Sequence, residues 1–274
     1  MFVAELMQGI GPDYLSDSAF AHVAVSGMTM DSRLVAPGDL FIALFGKNHD
    51  ARDYINVALE RGASAVIADA GGQWSDCLWM SDVPVIAVEG LRAKAGHIAA
   101  RFYAHPSSRQ PVIGVTGTNG KTSCTQFIAQ ILAGLGKRCG VVGTLGYGVY
   151  PELQDTGFTT PDAIVLQKAL AEIAATNLHC IAMEVSSQGL HQHRLNGVSF
   201  NSAVFTNLTR EHLDYHGSMA AYAEAKRRLF EYEGLKAGVI NIDDSYAACM
   251  LNALPRAAAS FTYSITDTRA DVHA

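Results

Sequence analysis

The stretch "VIGVTGTNGKTSCTQFIAQIL", residues 112–132, decides how the chain is read. It opens as an apolar β-branched run, passes through glycines into Gly120-Lys121-Thr122, and continues with the apolar spacing of an amphipathic helix. Backbone N–H groups at a glycine-rich turn that opens a helix can surround an anion, and the helix dipole favours negative charge there. In such a loop Lys121 would meet the terminal phosphates of a nucleotide, and the Thr122 hydroxyl would sit where Mg²⁺ bridges them. The strict spacing G-x-x-x-x-G-K-[ST] is not met: position 115 is Val, with Gly114 and Gly117 on either side.

Outward from this loop, strand-like and helix-like segments alternate. After "VIGVTG" and the helix from Lys121 come "CGVVGTLGY" read as a strand, the helix "DAIVLQKALAEIAATN", the strands "HCIAMEVS" and "SAVFTNL", the helix "MAAYAEAKRRLFEYEG" and the strand "AGVINID". Near-continuous apolar strands alternating with helices predict a mostly parallel sheet of the P-loop type, covered on both faces. Upstream, "GDLFIALFG" (38–46), "SAVIADA" (64–70) and "VPVIAVEG" (83–90) read as strands and "DYINVALERGA" (53–63) as a helix, giving a smaller α/β unit. The helix in "LRAKAGHIAARFYAHPSSRQP" is assigned to the second unit. The expected domains are therefore 1–90 and 91–274. The final "ASFTYSITDTRADVHA" reads as one strand and an interrupted sequence, so the second domain is expected to be incomplete.

Composition sets the limits. A chain of 274 residues, 49% hydrophobic, is long enough for two buried cores. Its net charge of −6 provides no general field for nucleic acid or anionic membrane, so an anionic ligand must be held by local donors. Five cysteines without C-x-x-C spacing argue against a disulfide framework or zinc site and fit a reducing cytoplasm. The first residues lack the pattern of an export signal, and no apolar run approaches the ~20 residues of a membrane span.

Three more segments fall at or after strand ends: "MEVSSQGLHQHR" (183–194), "FTNLTREHLDYHG" (205–217) and "YAEAKRRLF" (222–230). In an open α/β sheet those ends face the ligand crevice, so Glu184, Asn207 and His212 are candidates to converge on the phosphate region. Singly, each has an ordinary reading: Glu184 as a salt-bridge partner, His212 as a packed histidine, Lys226 as part of a solvated basic face. Their succession, TGTNGKT (116–122), E-V-S-S, T-N-L-x-x-x-H-L-D and A-K-x-x-L-F, resembles the central domain of the Mur ligases, which build the peptidoglycan precursor, and more distantly the folylpolyglutamate synthases. The resemblance implies ATP held by Thr116, Gly117, Thr118, Asn119, Gly120, Lys121, Thr122 and Asn207. It also implies Mg²⁺ held by Thr122, Glu184, His212 and Lys226, with Lys226 carbamylated by CO₂. Physical chemistry makes the last role intelligible, since a carbamate is an anionic oxygen ligand and its formation needs a neutral amine, which a buried lysine beside cations supplies.

Within that family, "FTTPDA" (158–163) and "EVSSQGLHQHR" resemble the MurE type, which adds a diamino acid to UDP-N-acetylmuramoyl-L-alanyl-D-glutamate. Positions matching Thr159, Thr160, Ser186, Gln192 and Arg194 would hold the muramoyl dipeptide; Thr before Pro-Asp is equally ordinary helix capping. "MTMDSRLVAPGDLFIAL" (28–44) followed by "GKNHDARDYI" resembles the UDP-binding domain, with Met30, Ser32, Lys47, Asn48 and His49 on uridine-contacting positions, although "KNHDAR" departs from the commoner "HxxDGR".

The reaction implied is ATP-driven amide formation through an acyl phosphate on the D-glutamate carboxylate, followed by attack of the amine of meso-diaminopimelate or L-lysine. Lys121, Glu184, His212 and Lys226 would carry the chemistry, in a cytoplasmic protein expected to be a monomer without nucleic-acid or membrane partners. No segment corresponds to the family's third, amino-acid-binding domain, so the chain alone is expected to be inactive in amide formation. The alternatives are a non-catalytic UDP-sugar- and ATP-binding fragment, or a P-loop NTPase of unrelated purpose, which would leave "DSR", "TTPD" and the Lys226 segment unexplained.

Overall fold

The computed structural model describes residues 1–11, 19–46, 49–74, 76–155, 157 and 159–273. It divides into unit 1, Met1–Ala104 with Ala163–Gln167, and unit 2, His105–Asp162 with Lys168–Ala274.

Unit 1 contains, in chain order, α1 (Val3–Met7), β1 (Gly27–Thr29), β2 (Asp39–Ala43), α2 (Ile55–Glu60), β3 (Ala65–Asp69), β4 (Leu78–Met80), β5 (Val83–Val88) and α3 (Leu91–Phe102). Its sheet has the order β1-β2-β3-β5-β4, parallel except for β4 against β5. Alternation along the strands divides the core. Leu40, Ile42, Ile67 and Ile86 pack with α1 and α3, while Phe41, Val66 and Val85 pack with Ile55 and Ala58 of α2.

The boundary expected at residue 90 moves to Ala104–His105. The helical spacing of α3 was legible, but not its partner: Leu91, Ala95, Ile98 and Ala99 are fully buried in the core of unit 1. The helix expected over 53–63 is shorter, being a 3₁₀ turn Ala51–Tyr54 followed by α2. Asp50 accepts from the backbone N–H of Arg52 at 3.1 Å and caps that turn.

Unit 2 contains β6 (Val112–Thr116), α4 (Lys121–Gly134), β7 (Cys139–Gly143), β8 (Gly146–Val149), β9 (Glu152–Gln154), β10 (Cys180–Glu184), α6 (Ser187–His191), β11 (Ser202–Phe205), α7 (Leu213–His216), α8 (Met219–Arg227), β12 (Ala237–Asn241), α9 (Ala247–Leu251), β13 (Ala259–Ser264) and β14 (Val272–His273). Helix α5 (Ala163–Ala174) opens in the part assigned to unit 1 and ends in unit 2. The nine strands run β14-β13-β12-β11-β6-β10-β7-β8-β9, parallel from β14 to β7 and antiparallel at β8 and β9. The single strand read in "CGVVGTLGY" is thus a hairpin, because Thr144 and Leu145 turn the chain and Gly146 takes a φ of 110°. The apolar pattern alone could not show that reversal.

From β6 the chain crosses to β7, returns to β10 beside β6, and passes to β11 on the other side. The C-terminal ends of β6, β10 and β11 therefore surround the point where strand order reverses, the place where such sheets hold ligands.

Tight packing behind β6 gives a paired test. A Cβ on Gly114 would lie 2.8 Å from the Phe200 ring, whereas one on Gly134, in α4, would meet open space. Gly114→Ala is expected to destabilise by about 1–3 kcal/mol through overpacking. Gly134→Ala is expected to stabilise by about 0.5–1 kcal/mol by restricting the unfolded chain. Urea unfolding of the two variants measures both signs.

Candidate functional site

Thr116 ends β6, and the loop Gly117–Gly120 leads into α4 at Lys121. Gly120 has φ 86° and Gly117 φ 156°. A Cβ on Gly117 would strike the Thr206 hydroxyl and the backbone of Asn207, the residues that follow β11. Those same residues hold the loop. Thr118 N–H donates to the Asn207 carbonyl at 2.8 Å, Asn119 N–H to Asn207 Oδ1 at 3.0 Å, and Thr206 Oγ1 to the Asn119 carbonyl at 2.7 Å. In this conformation the Asn207 side chain clasps the loop backbone.

Lys121 Nζ donates to the carbonyls of Gly117 and Thr118, at 2.9 Å each. Burial pushes its amine below the ordinary lysine value, with Glu184 and Glu211 opposing the shift. One residue on, Thr122 Oγ1 donates to Glu184 Oε2 at 2.8 Å. Glu184, at the end of β10 and 2% exposed, also accepts from Thr144 N–H at 2.8 Å and from Thr144 Oγ1 at 3.2 Å. Gly143 leaves the space for this carboxylate, since a Cβ there would collide with it. Thr144 is missing from the sequence-based site; its only signal was a Gly-Thr pair at the end of an apolar strand.

Lys226 comes from α8 and is 1% exposed, although it lies in a basic run that reads as solvated. Its Nζ donates to the Gly117 carbonyl at 2.7 Å and lies 4.7 Å from the centroid of the Tyr222 ring. Burial, then the nearby charge of Lys121, lowers its pKa to about 7, against a weaker upward pull from Glu211. Tyr222, also absent from the sequence-based site, is buried with its hydroxyl 3.2 Å from Thr118 Oγ1. His212 caps α7 with φ 55°, and its ring centroid stands 6.0 Å from that of Tyr222.

Lys121, His212, Tyr222 and Lys226 share a pocket of about 340 Å³ with Thr159, Thr160, Ser186 and Arg194. Thr160 Oγ1 accepts from Ser186 N–H at 3.2 Å, and Thr159 Oγ1 meets Thr144 Oγ1 at 2.9 Å. Arg194 donates from Nη1 to the Thr160 carbonyl at 2.8 Å and from Nη2 to Gln192 Oε1 at 2.6 Å. Gln192 thus orients the guanidinium without lining the pocket. Among the described residues no group of three His, Cys, Asp or Glu side chains is arranged to hold a metal. Of the four expected metal ligands, Thr122 and Glu184 touch each other, and His212 and Lys226 line the pocket.

Unit 1 has its own pocket, of about 610 Å³, lined by Met30, Ser32 and His49 together with Asp31, Arg33 and Tyr54. Asp31 caps the 3₁₀ turn Ser32–Leu34 and takes the Arg33 guanidinium at 2.7 and 2.9 Å. That hydrogen-bonded pairing with Arg33 holds the Asp31 carboxyl below the usual carboxylate range. Asp31 and Arg33 belong to the DSR triplet quoted from the sequence, but neither they nor Tyr54 were among the expected uridine contacts. Lys47 and Asn48, expected to contact uridine, lie outside the described residues.

Comparisons with known proteins identify the family. Residues 24–103 match the model for the Mur ligase family, catalytic domain, and residues 115–274 that for the Mur ligase middle domain. A UDP-N-acetylmuramoyl-L-alanyl-D-glutamate–2,6-diaminopimelate ligase of Coxiella burnetii is 52% identical over 225 residues, covering 82% of this chain and 46% of its own. A solved ligase of the same name superposes with a TM-score of 0.84 at 36% identity, covering 100% of this chain and 54% of its own. The MurF ligase of Thermotoga maritima, solved in complex with ADP, shares the fold at a TM-score of 0.58 and 18% identity, covering 89% of this chain and 51% of its own. The chain spans about half the length of the curated relatives it matches. With the middle-domain model matched from Val115 to Ala274, the chain belongs to the Mur ligase family.

Proposed function

We propose that this chain supplies the ATP-binding and UDP-substrate-binding units of a MurE-type ligase, which joins a diamino acid to UDP-N-acetylmuramoyl-L-alanyl-D-glutamate. The observation that carries the reading is Lys226: an almost fully buried amine with a pKa of about 7, held on the carbonyl of the glycine that shapes the phosphate loop. A structural lysine at a helix surface has no need of that position.

The donor set fits a hard cation as well as a nucleotide. Thr122, Thr144 and Glu184 present hydroxyl and carboxylate oxygens beside Lys121, and oxygen ligands suit Mg²⁺. Thr122, Glu184, His212 and carbamylated Lys226 would hold the metal, whose role when bound is to neutralise charge on the phosphates. Lys121 would leave its loop carbonyls to pair with the terminal phosphate, and the loop N–H groups would receive the remaining oxygens. Thr159, Thr160 and Arg194 would orient the peptidyl carboxylate that accepts the phosphoryl group, with Ser186 and Gln192 fixing their positions. Phosphoryl transfer needs such positioning and charge compensation more than covalent help. In unit 1, Met30, Ser32 and His49 would take the uridine diphosphate, in a pocket whose rim is set by the Asp31–Arg33 pair.

Three experiments test the reading. Lys121→Ala is expected to weaken ATP binding by calorimetry at least about tenfold, a loss on the scale of one charge-assisted phosphate contact. UDP binding to the same variant should be unchanged, and its parallel loss would refute separate nucleotide sites. For Lys226, ¹³C-bicarbonate should yield a carbamate resonance that grows as pH rises through about 7, where the amine becomes neutral, and that is missing in Lys226→Met. In CO₂-free buffer the unfolded chain binds the extra proton between about pH 7 and the ordinary lysine pKa near 10.4, so stability should rise with pH there. Lys226→Met should remove a component of about 1.4 kcal/mol per pH unit from that slope. An identical slope in both proteins would show that Lys226 is protonated and solvated.

A further inference from the structure

Two of the five cysteines are brought together by strand pairing. Cys139 opens β7 and Cys180 opens β10, and the two are directly opposite partners in that parallel pair. Residues so paired put their side chains on the same side of the sheet. The two sulfurs stand 3.8 Å apart. Both residues are buried, at 1% and 4% exposure, among Ile128, Ala129 and Leu132 of α4 and Val141 and Ala182 of the sheet. The other three, Cys77, Cys124 and Cys249, are half-buried, and all five are free thiols. Spacing along the chain carries no sign of the pair, because its members are 41 residues apart.

The surroundings limit what the pair can do. Among the described residues no third His, Cys, Asp or Glu side chain joins it to make a metal site, and a structural zinc takes four ligands. What remains is the chemistry of two thiols in contact. With the Cys139 S–H as donor, the hydrogen bond between the sulfurs holds the Cys180 thiol below the ordinary cysteine value, against the opposing effect of burial. Cys180 is therefore the nucleophile, and Cys139 the thiol placed to attack it once it is oxidised. The path from solvent is short, since Arg138 and His179, the residues just before the pair, are both exposed.

We propose that Cys139 and Cys180 are an oxidation site at which a hydroperoxide forms a reversible disulfide between β7 and β10. The Cys180 thiolate attacks one oxygen of hydrogen peroxide; an S–O bond forms, the O–O bond breaks, and the departing hydroxide takes up the proton that Cys180 released. The Cys139 sulfur then attacks the sulfenic sulfur of Cys180. The S–S bond forms, the S–O bond breaks, and the Cys139 proton leaves with that oxygen as water. Two thiols thus give up two electrons and two protons, and one peroxide becomes two waters.

Geometry makes the bond reversible. A disulfide needs Cα atoms about 4.4–6.8 Å apart and Cβ atoms about 3.8 Å apart. Adjacent strands lie about 4.8 Å apart, so paired residues meet the first requirement, while their Cβ atoms must be drawn together by about 1 Å. A disulfide under such strain is reduced more readily than a structural one. Closing it ties off the segment between β7 and β10, which carries Thr144 and the pocket residues Thr159 and Thr160. Strand register and burial carry this inference, independently of the nucleotide chemistry of Lys121 and Lys226.

The test treats the 274-residue chain with hydrogen peroxide, blocks the remaining thiols by alkylation in denaturant and maps the peptides by mass spectrometry. Expected is a Cys139–Cys180 cross-link that forms at least about tenfold faster than any link to Cys77, Cys124 or Cys249 and is reversed by millimolar glutathione. Cys139→Ala should abolish the cross-link and leave Cys180 as a sulfenic acid that dimedone captures. The mapping of the unsubstituted chain needs no variant and stands whether or not that variant folds. The proposal is overturned if both thiols of the pair remain alkylatable after the other three cysteines have been oxidised. Cross-links that join Cys139 or Cys180 to other cysteines overturn it as well, as does a Cys139–Cys180 bond that glutathione does not reduce.

Discussion

One carbonyl oxygen organises the active region of unit 2. Gly117 accepts from Lys121 at 2.9 Å and from Lys226 at 2.7 Å, so two amines from distant parts of the chain meet on one backbone atom. Two ammonium groups cannot share a nearly dry site without cost, and the more deeply buried of the two is the one driven toward neutrality. The pairing requires Gly117, because its φ of 156° turns the carbonyl into position and a side chain there would collide with Thr206 and Asn207.

Around that contact the architecture is economical in elements. β6 brings the loop, β10 brings Glu184, β11 brings Thr206 and Asn207, and α8 returns Lys226 and Tyr222 from the far side of the crevice. The strand order places the first three side by side, since β6 lies between β10 and β11. Tyr222 then joins the layers: its hydroxyl meets Thr118 in the loop, and its ring faces both Lys226 and His216. Burial is the main cause that lowers the His216 pKa.

Much of this was legible because it was local. The loop 116–122, its strand and its helix are adjacent in sequence, and glycines at turns leave a signature independent of context. The Asp31-Ser32-Arg33 triplet was equally visible, though Asp31 and Arg33 were passed over because their role is to pair with each other and shape a pocket rim. Thr144 and Tyr222 left almost no local trace: a threonine after a strand and a tyrosine in a helix are ordinary residues until Glu184 and Thr118 are brought against them. The boundary near residue 90 failed for a related reason, since the apolar stripe of α3 tells that the helix is buried and not which core buries it.

By itself the sequence determined the alternation of strand and helix and the glycine-rich loop that opens α4, because these depend on spacing, backbone freedom and side-chain chemistry within a few residues. The tertiary structure decided the rest. It placed Lys226 in the dry interior instead of on a solvated basic face, it turned Glu184 onto Thr122 and Thr144, and it buried one side of β11–β13 while leaving Phe261 exposed. Desolvation, charge proximity and face coverage are properties of neighbours in space, and only the sheet order and crossover direction determine which residues those neighbours are.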